Sequence, residues 1–372
     1  MRVLMGMPEG ASLGGPAACE PPFVAELQRL GIAVGTEVYV YGEQLAGTTL
    51  QQRVRRVLRT ARRLRRRLRS EPFDVLHLNS SFDGRAVLRD VATLGLVRRS
   101  PTKVFIKFHG SDADLLRTSD PVLRRFTRTL LARADGIGVL STEEKENFMR
   151  AGVGAERIYV VKNVVAADET QAATDDAAEL LRARLQVAAG VPLLLFIARF
   201  IPAKGLIEVI RACATLRERG LVFRLLCVGD GPARAAAEAE VARLRLRPHA
   251  QFFGYVPEPE TRAFYAGSTL LVFPTYHYEG FPMVIFKSLA AGLPVITTRI
   301  RAARDYLREP DNCLWVEPRN ADALAEQIAR LLREPSLRAA MAANNRALAA
   351  QFTAQAVAPE YVAVYNQLLG GR

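Results

Sequence analysis

Cysteine is scarce in this sequence, and long apolar runs are missing from it. No two cysteines have the C-x-x-C spacing, which argues against a zinc site or a disulfide framework. The longest apolar stretches, around residues 193–197 and 270–273, have the length of strands, whereas a membrane-spanning helix needs about 18 such residues. The sequence therefore excludes a chain that spans a bilayer. The cysteines are predicted to be packing residues: Cys19, Cys213, Cys227 and Cys313.

The N-terminus also lacks the apolar core of a signal peptide. Residues 1–7 are followed directly by Pro8, Glu9 and Gly10, which predicts a buried strand that enters a loop. With 372 residues, 49% of them hydrophobic, the chain is too long for one ordinary domain and too apolar for disorder. We therefore expect two domains in a cytoplasmic protein, and peripheral attachment to the inner face of the plasma membrane stays open as a second location.

Acidic residues are absent from one long stretch. The chain carries 51 Lys+Arg against 38 Asp+Glu, a formal charge of +13, and the segment from Arg53 to Arg69 holds ten arginines and no acid. Apolar residues recur in it at steps of three or four, which predicts an amphipathic helix. We expect its apolar stripe to pack on its own domain. Its arginine face suits an anionic membrane surface, where each cation contributes about 1 kcal/mol. The arginine face could also neutralise the phosphates of a nucleic acid. No base-reading module, stacking platform or zinc finger accompanies it, however, so no nucleic-acid partner is expected.

Apolar, β-rich runs alternate with helical patterns from end to end. Strands are predicted at residues 2–7, 38–41, 75–78, 103–108, 136–140, 158–161, 193–198, 223–228, 251–254, 270–274, 294–298 and 313–316. Helices are predicted at 22–30, 53–69, 83–97, 121–134, 142–150, 205–219, 233–244, 259–266, 282–290 and 322–333. A polar stretch at 165–178 suits a connection between domains. The pattern predicts an α/β protein of two tandem, doubly wound, Rossmann-like domains, residues 1–165 and 166–350. A ligand cleft between them would lie at the carboxyl ends of the strands.

The most informative motif is PTYHYEGFPMVIFKSLAAGLPVITT, residues 274–298. After a strand and a polar loop, Gly280 opens a helix whose first amides have no intrahelical partner, so the sequence predicts an anion site at the helix start. Glu279 precedes the helix, where its carboxylate could accept hydrogen bonds from sugar hydroxyls; a simple helix cap is the alternative. The backbone expected to face the anion belongs to Phe281, Pro282, Met283 and Val284.

Two cations follow another predicted strand. Arg199 stands at the strand's carboxyl end and Lys204 comes directly before a helix, a pairing that suits a diphosphate. The glycine-rich turn at residues 228–232 also follows a strand, and it is typical of a tight turn as much as of a ligand site. Taken alone, each of these signals is weak.

The predicted first domain contributes two further candidates. The loop from Gly10 to Gly15 follows the first strand and resembles a phosphate-approach loop, although it lacks the G-x-G-x-x-G spacing. His109 is one of four histidines, and a lone histidine is usually structural. Its position beside Gly110 at a strand's carboxyl end makes a function a real alternative.

Together these motifs resemble the family 4 retaining glycosyltransferases of the GT-B fold, over nearly the whole chain. Besides the residues above, the resemblance rests on Phe253-Gly-Tyr-Val256 and Ala291-Gly-Leu-Pro294. It implies a hexosyltransferase with a nucleotide-diphosphate sugar as donor, a glycan or lipid-linked acceptor in cell-surface polysaccharide or glycolipid assembly, and neither a metal nor another cofactor. It also implies an acceptor-binding first domain, a donor-binding second domain, and a last segment, residues 351–372, whose helix crosses back to the first domain.

The resemblance further assigns roles to residues of this chain. Arg199 and Lys204 would bind the donor diphosphate, while Gly14 and Gly15 would let the backbone approach it. Glu279 and the Gly280 helix start would hold the transferred sugar and its phosphate, and His109 would reach the sugar from the opposite wall. His109 and Glu279 would be the catalytic residues. Tyr255 and Val256 would meet the base. No covalent protein nucleophile is implied.

Lys287 departs from the family pattern, which commonly has a glutamate there for the donor ribose. A lysine offers no acceptor to a ribose diol, although it could reach a phosphate or select another donor. Because His109, Arg199, Lys204 and Glu279 all remain, we expect an active enzyme. The alternatives are a non-catalytic scaffold of the same fold that has lost donor binding, and a sugar-nucleotide epimerase. Donor, acceptor, linkage and oligomeric state cannot be derived from these motifs.

Overall fold

The computed structural model of the chain describes residues 1–9, 15–40, 49–97, 101–165, 175–188 and 190–370. The chain forms two compact units. Unit 1 comprises Met1–Ala166, Tyr278–Phe281 and Ala354–Arg372, and unit 2 comprises Ala167–His277 and Pro282–Thr353. No helix in the described ranges combines the length and the apolar character that crossing a bilayer requires.

Unit 1 is built on a six-stranded parallel sheet with the order β2-β1-β3-β4-β5-β6. The chain leaves β1 towards β2 and then returns to the other side of β1, so the strand order reverses between β1 and β3. The strands are β1 (Arg2–Pro8), β2 (Ala33–Val40), β3 (Val75–Phe82), β4 (Lys103–Ser111), β5 (Gly136–Val139) and β6 (Ile158–Val160). The helices are α1 (Gly15–Arg29), α2 (Leu50–Ser70), α3 (Gly84–Val97), α4 (Ala113–Leu116), α5 (Pro121–Arg133) and α6 (Thr142–Arg150).

Unit 2 has a second six-stranded parallel sheet, in the order β12-β11-β10-β7-β8-β9. Its strand order reverses between β7 and β10, which makes their carboxyl ends the expected ligand site of such a sheet. The strands are β7 (Leu193–Ile197), β8 (Arg224–Val228), β9 (Ala250–Gly254), β10 (Leu270–Phe273), β11 (Val295–Thr297) and β12 (Cys313–Trp315). The helices are α7 (Asp175–Arg184), α8 (Leu206–Glu218), α9 (Arg234–Arg243), α10 (Glu258–Gly267), α11 (Met283–Ala290), α12 (Arg301–Tyr306), α13 (Ala321–Arg333) and α14 (Pro335–Ala349).

The last helix, α15 (Ala354–Leu368), belongs to unit 1 and packs against α1. Tyr361 and Tyr365 are fully buried. The hydroxyl of Tyr361 donates to the backbone oxygen of Lys162 at 2.9 Å, and that of Tyr365 lies 2.5 Å from Nδ1 of His77. A segment far along the chain thereby completes the core of the first unit.

All twelve predicted strands are present, and both sheets are parallel, so the predicted fold class is confirmed. The predicted polar connection at 165–178 was too long, because α7 begins within it; Leu181 and Leu185 are buried and anchor this helix, whose polar start hid its period. Helix α1 begins seven residues before the predicted 22, with Pro21 and Pro22 inside it, because burial of Cys19 and Phe23 outweighs the cost of the prolines. The helices not predicted were α4, α7, α12 and α14.

The arginine-rich segment forms the predicted amphipathic helix, α2. It starts with a capping box in which Thr49 and Gln52 satisfy each other's backbone amides. Ala61 and Leu64 are fully buried against unit 1, whereas Leu50 is 77% and Val54 48% exposed. The apolar stripe therefore packs as expected along the middle of the helix, and its first turns project apolar side chains into solvent.

Candidate functional site

In unit 2, the cations predicted from sequence lie at the point where the strand order reverses. Arg199 follows β7 and is exposed, and the 3-10 turn Pro202–Lys204 places Lys204, which is 9% exposed, directly before α8. Burial, followed by the charge of Arg199, lowers the pKa of Lys204 to about 7. A buried ammonium that also experiences the charge of another cation is stabilised by an anion that reaches it.

The glycine-rich turn at residues 229–231 supports the backbone that carries Arg199. The amide of Ala198 donates to the Val228 oxygen at 3.0 Å, and the amide of Phe200 donates to the Asp230 oxygen at 2.8 Å. Gly229 has φ +128°, and a Cβ there would lie only 1.9 Å from the Ala198 oxygen. The turn is thus glycine-rich because it packs directly on the Arg199 segment.

The loop after β10 is hydrogen-bonded to the Pro202–Lys204 turn. The amide of Tyr276 donates to the Ala203 oxygen at 2.8 Å, and the glycine at 205, with φ +82°, has the Pro274 oxygen where a Cβ would need space. His277 follows, half-buried. These contacts bring the segments that follow β7 and β10 together.

His277 and Arg301 are functional candidates that the sequence did not reveal. Burial, and then the charges of Lys204, Arg199 and Arg301, lower the pKa of His277. The Arg301 side chain is buried at the start of α12, with an unusual φ of +29°. His277 lies inside the 274–298 motif and could have been noticed as a histidine after a strand, but nothing in the sequence around Arg301 indicates that it faces this group.

The predicted helix entry is helix α11. Its N-cap residue is Pro282, whose own side chain forms no capping hydrogen bond; the amide of Ile285 donates to the Pro282 oxygen at 2.9 Å. Phe281 is buried, while Met283 and Val284 are partly exposed. The first backbone N–H groups of a helix have no acceptor within the helix, and they suit an acceptor such as a phosphate oxygen.

Lys287 lies on α11 and is 5% exposed. It forms an ion pair with Glu258 at the start of α10, a half-exposed residue. The positive charge that departs from the family pattern is therefore matched by a carboxylate of the same unit. Tyr255, which is 56% exposed, and the partly buried Val256 follow β9 two to three residues before Glu258.

In unit 1, His109 lies near the end of β4 with its side chain 9% exposed. Its Nε2 is 2.8 Å from Oδ1 of Asn79 and 3.4 Å from Oε1 of Glu20. Burial, and then the charges of Lys107 and His77, lower the pKa of His109 well below its usual value, so the ring is neutral at pH 7.

The Glu279-Gly280 motif reaches His109 within this unit. Gly280 is buried, and a Cβ added to it would lie 3.0 Å from the His109 oxygen and 3.2 Å from Cα of Gly110. Glu279 is partly buried beside it. Two motifs separated by about 170 residues in the chain therefore meet, and a Cβ at the contact would crowd the backbone of β4.

Gly15 is the first residue of α1, and Gly14 lies outside the described residues, so the predicted phosphate-approach loop is described only at its end. Helix α1 supplies residues that sequence reasoning missed. Glu20 is fully buried and accepts from Nζ of Lys107 at 2.7 Å. Burial alone would lower the pKa of Lys107, but Glu20 and then Tyr361 raise it above its usual value.

Ligand atoms of Cys19, Glu20 and His109 lie within 4.8 Å of one another, a spacing that a metal ion could use. The Glu20 oxygen, however, already accepts from Lys107, and Nε2 of His109 is bonded to Asn79. A cation in this position would compete with a buried ammonium. The donor set suits a hydrogen-bonded ion pair, not a metal site.

The two doubly wound sheets, each with polar groups at its strand ends, define the GT-B class of glycosyltransferases. Solved structures support this fold: HepE of Anabaena in complex with UDP-glucose aligns with a TM-score of 0.78 at 19% identity, over 99% of this chain and 100% of that one. The glycosyltransferase WaaG, involved in lipopolysaccharide biosynthesis, aligns with a TM-score of 0.70 at 17% identity over the full length of both chains.

Two family models match in sequence. Glycosyltransferase Family 4 matches residues 21–169, and Glycosyl transferases group 1 matches residues 178–348. The chain belongs to the family 4 glycosyltransferases. Relatives include a 2-deoxystreptamine glucosyltransferase of Streptomyces kanamyceticus, 30% identical over 68% of this chain, and the putative colanic acid biosynthesis glycosyltransferase WcaL of Escherichia coli K12, 28% identical over 63%. These alignments span 66% and 56% of the relatives' own lengths.

Proposed function

We propose that the protein transfers a hexose from a nucleotide-diphosphate sugar to a glycan or lipid-linked acceptor, with retention of anomeric configuration and without a metal ion. The observation that supports this best is the group of basic side chains where the order of the second sheet reverses. Lys204 and His277 both have pKa values lowered by burial and by neighbouring positive charge. Such a group favours an anionic ligand, and a diphosphate supplies the matching charge.

The chemistry follows from where charge grows during transfer. As the bond between sugar and diphosphate breaks, the leaving group becomes more negative, and Arg199, Lys204 and the start of α11 would stabilise it. Because side chains and backbone amides supply this positive field, the proposed reaction needs no divalent cation. His109 and Glu279 would contact the transferred sugar.

The family membership and the names of relatives support a role in polysaccharide or glycolipid assembly. The relatives include a capsular polysaccharide biosynthesis glycosyltransferase of Staphylococcus aureus, 29% identical over 47% of this chain. Together with the retained cations, this favours transfer over a non-catalytic scaffold or an epimerase.

A thermal-shift screen with UDP-, GDP- and ADP-sugars tests donor binding, since a ligand that binds only the folded protein raises its melting temperature. We expect one base class to raise it, and Arg199→Ala to reduce that rise. Arg247→Ala removes an exposed arginine of the same unit and serves as the matched control. A protein that shows neither binding nor turnover with any sugar nucleotide of a broad panel would contradict the proposal.

Retention and metal independence are tested separately, with the donor that supports turnover. The product should keep the donor's anomeric configuration by NMR, and the rate should be unchanged in excess EDTA. An inverted product, or activity restored only by a divalent cation, would contradict these two parts of the proposal.

We also propose that α2 binds an anionic membrane surface at its exposed face. Five exposed arginines recur on one face of the helix at steps of three or four, and none of them forms an ion pair with an acid in the part of the chain that the structure describes. Exposed Leu50 and Val54 at the helix start would add apolar contact. The arginines are Arg55, Arg59, Arg62, Arg66 and Arg69.

Sedimentation with vesicles of phosphatidylcholine, with and without phosphatidylglycerol, tests this surface. We expect binding only to the anionic vesicles, weakening as salt rises. Replacing Arg59, Arg62 and Arg66 by glutamine should abolish it. A control variant with the same charge loss in unit 2, at exposed Arg184, Arg247 and Arg333, should still bind. Equal loss in both variants would point to net charge and contradict a role specific to α2.

A further inference from the structure

The imidazole of His109 has both of its nearest polar neighbours on one nitrogen. Oδ1 of Asn79 lies 2.8 Å and Oε1 of Glu20 lies 3.4 Å from the same atom, Nε2. Both neighbours are oxygens. A nitrogen that faces two oxygens is stable only if it carries a hydrogen, because an unprotonated nitrogen would place its lone pair against theirs.

The oxygen of Asn79 is identified by the other end of the amide. Nδ2 of Asn79 donates to the backbone oxygen of Gly6 at 3.0 Å, and the side chain is fully buried. If the amide were turned over, two oxygens would face each other at that distance, and its NH2 group would point at His109. The strand β1 carbonyl therefore fixes Asn79 as a hydrogen-bond acceptor towards the ring.

A neutral imidazole carries one hydrogen. The pKa of His109 is lowered by burial and then by the charges of Lys107 and His77, so the neutral ring predominates at pH 7. Lys107 also explains why the nearby carboxylate does not raise the pKa of the ring, since Glu20 forms its ion pair with Lys107 at 2.7 Å. With the hydrogen on Nε2, the other nitrogen, Nδ1, keeps its lone pair; it is buried and has no hydrogen-bond partner in the described ranges.

We propose that Asn79 is a positioning residue: with Glu20 it holds His109 in the Nε2-protonated tautomer, so that Nδ1 is the acceptor offered to a substrate hydroxyl. The substrate part rests on the proposed function, because it requires His109 to contact the sugar. The tautomer does not, since it follows from contacts inside unit 1.

Nitrogen-15 NMR of the histidine rings tests the tautomer without any substrate. The chain has four histidines, so His109→Gln assigns the signal by its loss. We expect the full-length protein to show a protonated Nε2 and an unprotonated Nδ1. Asn79→Leu removes the acceptor and should mix or reverse the tautomers, whereas Asn79→Asp keeps an oxygen towards Nε2, preserves the tautomer and raises the pKa of His109.

A matched control separates positioning from a loss of stability. Asn345 is also fully buried with both ends of its amide bonded, to Leu293 and Asn312, so Asn345→Leu should destabilise the protein but leave the His109 signals unchanged. A wild-type ring protonated at Nδ1, or Asn79→Leu signals identical to wild type, would overturn the proposal. If Asn79→Leu does not fold, Asn79→Asp decides: an unchanged His109 pKa overturns the proposal.

Kinetics connect the tautomer with transfer. With the sugar nucleotide that supports turnover, Asn79→Leu should lower kcat/KM about tenfold, and Asn79→Asp should recover part of it at a pH where the ring is neutral. An Nε2-protonated ring in a protein that binds no sugar nucleotide would contradict the proposed function alone. Turnover with a wild-type ring protonated at Nδ1 would contradict the positioning role alone.

Discussion

At the scale of single residues, Lys204 shows how position sets chemistry. Its ammonium is buried, and Arg199 adds a second positive charge nearby. Both influences disfavour the protonated form, which lowers the pKa of Lys204 to about 7. An anion bound there would reverse the balance and raise the pKa, so donor binding and protonation of Lys204 are linked.

Donor affinity should therefore depend on pH. Below pH 7 Lys204 is already charged in the free protein; above it, binding must take up a proton, and affinity should fall by up to about tenfold per pH unit. Titration calorimetry between pH 6 and 9, in buffers of different ionisation enthalpy, would measure both the fall and the proton uptake. Lys204→Arg stays charged and should flatten the profile, whereas a flat wild-type profile would contradict the linkage.

Gly280 gives a prediction about space. A Cβ there would meet the backbone of His109 at 3.0 Å and a methyl group of Leu140 at 3.2 Å, so Gly280→Ala must push the β4 end aside and should cost about 1–3 kcal/mol of unfolding free energy. Chemical denaturation measures this cost. Gly84→Ala is the control, because a Cβ at Gly84 would meet only Leu123 methyl groups at 3.8 and 3.9 Å. Equal stability of the two variants would refute the close contact.

At the scale of elements, α2 carries buried and solvent-exposed apolar side chains at different points along one helix. Leu64 is fully buried and Val54 is 48% exposed. Leu64→Ala should cost about 2–5 kcal/mol of unfolding free energy, while Val54→Ala should change it by about 0.5 kcal/mol or less. Urea unfolding followed by circular dichroism compares them. A large effect of Val54→Ala would mean that the start of α2 packs against another element.

Periodicity predicted the elements well, because parallel strands buried on both faces form continuous apolar runs such as Leu193–Ile197. It failed where packing overrode local pattern. Helix α14 starts at Pro335 and is rich in alanine, so its period is faint, yet Met341 and Asn345 are fully buried. Strand β2 begins at Ala33, five residues before the prediction, because pairing with β1 extends it.

The candidate site was predictable only where residues follow strands in recognisable motifs. Arg199, Lys204 and Gly280 were predicted in this way. Asn79 and Glu20 were not, since their importance arises from contacts across 30 and 89 residues of sequence with His109, and a single sequence carries no trace of such pairing.

At the scale of the whole molecule, α15 stabilises a unit formed mostly by the other end of the chain. Removing residues 354–372 would expose Phe23, which packs on Tyr361 with ring centres 4.5 Å apart, and would leave His77 without the Tyr365 hydroxyl. We expect calorimetry to show a large fall in the melting temperature of unit 1, with the transition of unit 2 little changed. Tyr365→Phe, which keeps the ring, should cost only about 1–3 kcal/mol. An intact unit 1 transition in the truncated protein would contradict this role.

Unit 1 is assembled from three separate stretches of chain, and the last of them is Ala354–Arg372. A ribosome makes a protein from its N-terminus, so the first 165 residues emerge long before the helix that covers Phe23 and His77. During synthesis the first unit must wait, with part of its core open, until the residues of α15 have been made. We expect the nascent chain to depend on chaperones until then.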